Sequence, residues 1–352
     1  MLGHSRKLPL KLECLKRALQ SRQIPIHPNA KEQELVKAIQ RKVNEKNQNN
    51  ITRTNAYFQF FQAFPEIQWA FLAHMVSRNS GWNMTDLKGS YLSELLTDKQ
   101  QEYFFNYLER SNWLIFQDAY PQLLLYKEAK KSGRNLFHLL PCFGVSVFMQ
   151  TIWNTFYSYH DKELLSVALI INEQHYIENR VIHNSNYRAN LLELAEIKFQ
   201  ELLQLNMILF PYQDGSRTRL VGQAVNHFAA LDKRILLGKR LYEILFDPTY
   251  FQKILTMACQ HPHTGSREDF FPNLFQSERL GKGFPLYSPK LQSAWEDVQH
   301  KPAETGDWYK DWKVLYYFLK DQAHYYPDIL DLYIKSLHTL EQAALLKDRW
   351  LK

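Results

Sequence analysis

The residues best equipped for chemistry lie in three separated stretches of a 352-residue chain. The first runs from His74 to Gly89 and gathers His74, Arg78, Asn79, Trp82, Asn83 and Asp86. The second is the switch from an apolar run, Leu164–Ile171, to Asn172, Glu173, Gln174, His175 and Glu178. The third is the stretch from His261 to Asp269, with His263, Thr264, Gly265, Ser266 and Arg267. Buried polar groups are costly unless each finds a partner. Polar groups set beside apolar runs therefore either build an internal network or line a ligand site. In the second case Arg78 and Arg267 would hold an anionic group, and His74 or Glu173 would move a proton. Arg53, Asn79, Asp86, Gln174, Glu178 and His263 would complete the lining.

Helical phase sets the directions of these side chains. At about 100° per residue, Ile67, Phe71, His74 and Arg78 share one stripe of a helix over 65–79 that is apolar on its other side. Pro65 opens that helix and Gly81 marks its end. His74 and Arg78 thus point into protein, where a guanidinium needs an anion or carbonyls. Asp86 and Glu66 are its nearest carboxylates in sequence. Val167, Ile171, Gln174 and Glu178 form a comparable inward stripe on a helix over 162–182. In the third stretch, small residues and Arg267 suit an anion, and Ser266 with Asp269 also reads as a capping box. His261 and His263 lack a third metal ligand at a recognisable spacing. No metal site is assigned, no cofactor motif is evident, and no hydrolase, kinase or dinucleotide signature occurs.

The elements that carry these groups read as helices. Gly is scarce, at 12 residues, and β-branched runs are few, which disfavours a sandwich or barrel. Further helices are expected over 57–64, 97–111, 112–131, 145–159, 190–207, 220–246, 308–320 and 327–347, with a long loop over 261–290. The fold class is all-α, a multi-helix globular bundle. A main domain over 49–352 leaves room for a subdivision near 210–220.

Charge separates the first 48 residues from the rest. The net charge is +7. Residues 1–50 hold eleven Lys or Arg against four Glu, and the remainder balances to zero. Leu8, Leu12, Leu15 and Leu19 form one helical stripe, and Leu35, Ile39 and Val43 a second, started by Asn29 and Glu32. This basic helical arm resembles small helix-extended-helix modules that bind DNA. Nucleic acid or an anionic membrane is therefore an alternative partner, through residues 1–48 alone. A non-enzymatic helical interaction or scaffold protein is the other alternative. Three scattered cysteines give no disulfide framework, no run reads as a transmembrane segment, and a cytoplasmic location is expected.

The same stretches carry a resemblance. Asn50–Tyr57, Pro65–Ala70, Ala73–Gly89, Leu114–Leu123, Ile170–Gln174 and His263–Arg267 resemble a family of bacterial proteins from endospore-forming bacilli, catalogued as a domain of unknown function. It spans roughly 50–272 and leaves the basic arm outside. It implies that the polar motifs belong together and supplies no activity, cofactor or catalytic residue.

Overall fold

The computed structural model describes residues 8–21, 27–184, 207–225, 229–279, 285–319 and 327–350. The arm forms two helices, α1 (Leu10–Gln20) and α2 (Ala30–Lys46). Leu12, Leu15 and Leu19 of α1 are buried, as are Val36, Ile39 and Val43 of α2. Asn29 and Glu32 close the reciprocal capping box that starts α2. Then come α3 (Asn50–Ala63), α4 (Gln68–Asp86), the single turn α5 (Leu92–Leu95) and the long α6 (Asp98–Ser132). Next are α7 (Val147–Tyr159) and α8 (Lys162–Ile177), the latter continued by a π-turn over Glu178–Ile182.

The chain is mostly helical but not all-α. Strands β1 (Met207–Asp214) and β2 (Arg217–Ala224) pair antiparallel, with Met207 opposite Ala224 and Asp214 opposite Arg217. The expected helix over 220–246 is therefore a strand followed by α9 (Leu231–Leu245). The cause is local. Gly215 takes φ +61° in the two-residue turn after Asp214, and Asp-Gly between apolar runs favours a hairpin over a helix. The expected helix over 190–207 lies outside the described residues except Met207, which begins β1. After α10 (Phe251–Gln260) come a two-residue parallel pair, β3 (Phe275–Gln276) and β4 (Leu286–Tyr287), and the single turn α11 (Leu291–Ala294). Residues 295–311 then cross the body as a strap without regular structure. A 3₁₀ turn over Trp312–Phe318 replaces the helix expected at 308–320, and α12 (Leu330–Trp350) closes the chain.

Further boundaries differ from expectation: α3 begins at Asn50 rather than at 57, and α4 begins at Gln68, so Pro65 precedes the helix instead of opening it. Helices expected over 97–111 and 112–131 are one 35-residue helix, α6, with Pro121 inside it. Gly81 does not end α4, which runs on to Asp86. Gly81 is there because α3 and the 261–270 loop approach closely: a Cβ at this position would collide with Asn50 Oδ1 and His263 Nε2.

Helix α4 spans two apolar cores. Its first half puts Trp69, Phe71, Leu72 and Met75 into a core that also holds the leucines of α1 and the buried faces of α2, α3, α7 and α8. Its second half puts Trp82 and Met84 into another, with Leu209 and Leu220 of the hairpin, Phe270, and Tyr333 of α12. The polar residues of the His74–Asp86 stretch lie at the seam between these cores.

Candidate functional site

Helix α4 carries His74, Arg78 and Trp82 four residues apart, so they share one face. His74 is 2% and Arg78 3% exposed, as their phase requires. His74 stacks on Phe58 with ring centres 4.5 Å apart, and its Nδ1 lies 2.9 Å from the Thr54 carbonyl. That geometry makes Nδ1 the protonated nitrogen, donating to the carbonyl. Burial holds the His74 pKa well below the ordinary imidazole value, and the neighbouring Arg78 charge adds to this. The ring is therefore neutral at pH 7, and its Nε2 is buried without a partner among the described residues.

Arg78 finds neither of the carboxylates nearest in sequence. Asp86 pairs with Arg267, and Glu66 takes Lys130 and the Tyr126 hydroxyl. Arg78 Nη2 instead donates to the His261 carbonyl at 2.8 Å, and its guanidinium lies 5.6 Å from the Trp82 ring centre. Among the described residues no carboxylate pairs with it. Burial lowers its pKa to about 10, only partly offset by the charge of Asp269. Arg78 Nε and Trp82 Nε1 are buried donors with no partner among the described residues.

The remaining polar groups of this stretch are satisfied by protein. Asn79 donates from Nδ2 to the Leu209 carbonyl at 2.9 Å, and its Oδ1 accepts from the Leu209 amide at 2.7 Å. It thereby completes one residue of β1 like a strand partner. Thr85 donates to the Gly265 carbonyl at 2.6 Å. Asp86 takes Arg267 through Nε and Nη2 at 2.7–2.9 Å, and Asn83 adds an acceptor to Nη2. Burial acts to lower the Arg267 pKa, but Asp86 and Tyr333 together outweigh it and hold the pKa above the usual arginine value.

His263 closes the loop onto α3. Its Nε2 lies 2.8 Å from Asn50 Oδ1, while Asn50 Nδ2 donates to the Ser77 carbonyl at 2.9 Å. Its Nδ1 is 3.5 Å from Asp269, and burial depresses its pKa although Asp269 opposes this. Ser266 caps a short 3₁₀ turn, accepting from the Glu268 amide at 3.1 Å. Asp269 accepts from the Thr264 amide and hydroxyl instead of serving that cap.

Two of the three sequence stretches thus meet, the first and the third. The second joins different partners. Arg234 of α9 donates from Nε to Gln174 Oε1 at 2.9 Å and pairs with Glu178, which also meets His183. Glu173 accepts from Gln174 at 3.0 Å, and burial raises its pKa to about 7. Arg53, 1% exposed, is taken by Glu109 of α6 through Nη2 and by Asn47 through Nη1. A surface groove of about 430 Å³ along α12, lined by Phe271, Ile334 and His338 among others, takes in none of these candidates. Among the described residues no three His, Cys, Asp or Glu side chains gather as metal ligands do.

Sequence reasoning missed Asn50, Ser77, Glu109, Arg234 and Asp118. The first four act across distances in sequence that no local spacing encodes. Asp118 had a signal: a lone carboxylate in the apolar run Leu114–Leu123, which carried the family resemblance.

A family model described as "Protein of unknown function (DUF2515)" matches residues 45–329. The chain belongs to that family. The match takes in every candidate site residue from Arg53 to Arg267, and α1 lies wholly outside it. A Bacillus subtilis (strain 168) relative described as "Uncharacterized protein YppC" is 38% identical over 319 residues, which is 90% of this chain and 96% of the relative. No solved structure matches the chain.

Proposed function

We propose that the protein binds a small oxyanion at Arg78, and that this binding rather than any built-in cofactor chemistry is the role of the His74–Gly89 motif. One observation carries the reading: Arg78 is a buried guanidinium without a carboxylate partner among the described residues. Proteins neutralise buried charges, and an arginine left over by its own network is poised for an outside anion. Its neighbours on the same face suit a hydrogen-bearing oxyanion. Arg78 Nε and Trp82 Nε1 are open donors, and neutral His74 offers an open acceptor at Nε2.

Isothermal titration with phosphate, sulfate and acetate tests this. Saturable binding by the wild-type protein, lost in Arg78→Gln with its circular dichroism spectrum intact, is expected. Binding that survives the substitution would sink the proposal.

A second reading is favoured by a separate observation. Asn79, Thr85, Asp86, His263 and Arg267 are all engaged by protein groups. On this reading the motif only fixes α4 against its neighbours, and the protein is a non-enzymatic helical scaffold. It expects His74→Ala and Arg78→Gln to lower the melting temperature equally with or without phosphate. An anion-dependent difference between wild type and Arg78→Gln decides against it.

A further inference from the structure

Beneath the strap, α6 and α8 bury a carboxyl group that no cation pairs with. Asp118 is 3% exposed. Its Oδ2 accepts from Asn172 Nδ2 at 2.6 Å and from Gln122 Nε2 at 3.0 Å. Both donors are neutral amides, and among the described residues no Lys, Arg or His side chain reaches Asp118 as an ion pair. Gln122 is fixed in turn by the Trp153 indole N–H at 2.8 Å. Asn172 is the branch point. Its Oδ1 accepts from Ser146 at 3.0 Å and from the indole N–H of Trp308, a strap residue, at 2.8 Å. One amide thus connects a buried acid to the cover above it.

The strap has no backbone ladder to the body. Among the described residues, no backbone group of residues 296–311 bonds to the backbone of another element. Its attachments run through side chains. Arg110 holds the Lys301 carbonyl, and Arg180 holds the carbonyls of Glu304 and Gly306. Asp307 accepts from the Val147 amide. Trp308 stacks on His175 with ring centres 4.3 Å apart and packs on Phe148, and His300 packs on Trp113 and lies 3.4 Å from Glu109. Most strap residues are exposed. A segment held by side chains without a backbone ladder opens at lower free-energy cost than a helix or strand.

We propose that the strap is a proton-governed cover: it lies closed while Asp118 is protonated and lifts at Trp308 when Asp118 ionises. The reason is solvation. A carboxylate charge confined between amides and aromatic rings is poorly stabilised. α6 and α7 close the other sides with Gln122, Trp153 and Ser146, which caps α7, all buried. Water reaches the charge most readily where Trp308 sits on Asn172. Burial sets the Asp118 pKa at about 7, so the change falls near neutrality. The charged and titratable groups around it act in both directions. Arg180 from the π-turn favours the anion, whereas Asp307 from the strap disfavours it. Glu173 and Tyr176 of α8 and Tyr57 of α3 also sense Asp118. Opening uncovers Asn172, Asp118 and His175, a polar patch distinct from the Arg78 group.

Hydroxyl-radical footprinting of the full-length protein, read by mass spectrometry at Trp308 and His175, tests the cover. After normalisation to radical dose, wild-type labelling there should rise on the order of tenfold between pH 6 and pH 8. In Asp118→Asn, a permanently neutral near-isostere, labelling should stay within about twofold across the same range. Trp308→Phe, which keeps the stack but loses the indole N–H, should show high labelling of His175 at both pH values. A flat wild-type profile overturns the proposal, as does an unchanged pH response in Asp118→Asn. So does a response abolished by Glu173→Gln but retained in Asp118→Asn. If Asp118→Asn fails to fold, Glu173→Gln decides: a pH response retained there upholds the proposal, and one abolished there overturns it.

Discussion

At the scale of single residues, the buried acids and the buried imidazole of the core have opposite pH signatures. Asp118 and Glu173 bind protons more tightly folded than unfolded, with pKa values raised to about 7 from 3.8 and 4.5. Between about pH 4 and 7 the unfolded chain has released protons that the native chain keeps. Stability contributed by these groups is therefore complete at low pH, is lost as pH rises through that window, and levels off above 7. His74 works in reverse, because burial lowers its pKa below 6.5. Its contribution is present above pH 6.5 and declines on acidification. The two trends overlap, so the informative quantity is a difference. Urea unfolding at pH 5 and pH 7.5 should show Asp118→Asn gaining stability relative to wild type at the higher pH; an equal difference at both values contradicts the assignment. Asn79→Ala leaves the Leu209 amide and carbonyl without partners and should cost about 3 kcal/mol in the same measurement. Of this layer, the sequence made legible which way His74 and Arg78 point, because a 3.6-residue period is a local property. It did not reveal that Arg78 takes a carbonyl or that Arg53 takes Glu109, since those partners lie 183 and 56 residues away.

At the scale of elements, the instructive residue is Gly81. A glycine after an apolar run reads as a stop, yet here the helix continues and the glycine serves a neighbour. Gly81→Ala improves intrinsic helix propensity by roughly 1 kcal/mol. It also drives a methyl group into the contact between Asn50 and His263. A net fall in melting temperature is expected; a rise would mean that the approach of the 261–270 loop to α3 has slack. The hairpin is the reverse case. Its Asp214-Gly215 turn was a sufficient signal, overridden by the helical appearance of the residues that follow. The strand then gains a side-chain partner, Asn79, that no strand pattern predicts.

At the scale of the whole molecule, the basic arm is also an apolar one. Leu12, Leu15, Leu19, Val36, Ile39 and Val43 enter the same core as Trp69 and Trp153. Each buried leucine contributes about 2 kcal/mol relative to exposure. Removal of residues 1–48 should therefore lower the thermal midpoint of the remaining chain by more than 10 °C in a scanning calorimeter. An unchanged midpoint would make the arm an independent unit. Charge asymmetry was plain in the sequence, and so were both apolar stripes. What they pack against was not, because a stripe specifies a face and not its counterpart.

Helix α6 gives the molecule a common register. Along its 35 residues it presents Glu109 to Arg53, Asn112 to Ser80, Asp118 to Asn172, Gln122 to Trp153 and Tyr126 to Glu66. Adding one residue to an α-helix rotates everything beyond it by about 100° and shifts it by about 1.5 Å. A single alanine inserted after Phe116 would thus misalign Asp118, Gln122 and Tyr126 together while leaving Glu109 in place. Two residues inserted after Gly133, where the helix has ended in a left-handed turn, would misalign none of them. Over evolutionary time this makes residues 98–132 a segment of fixed length. Insertions and deletions among family members should gather in the connecting loops, and α6 should drift by substitution alone.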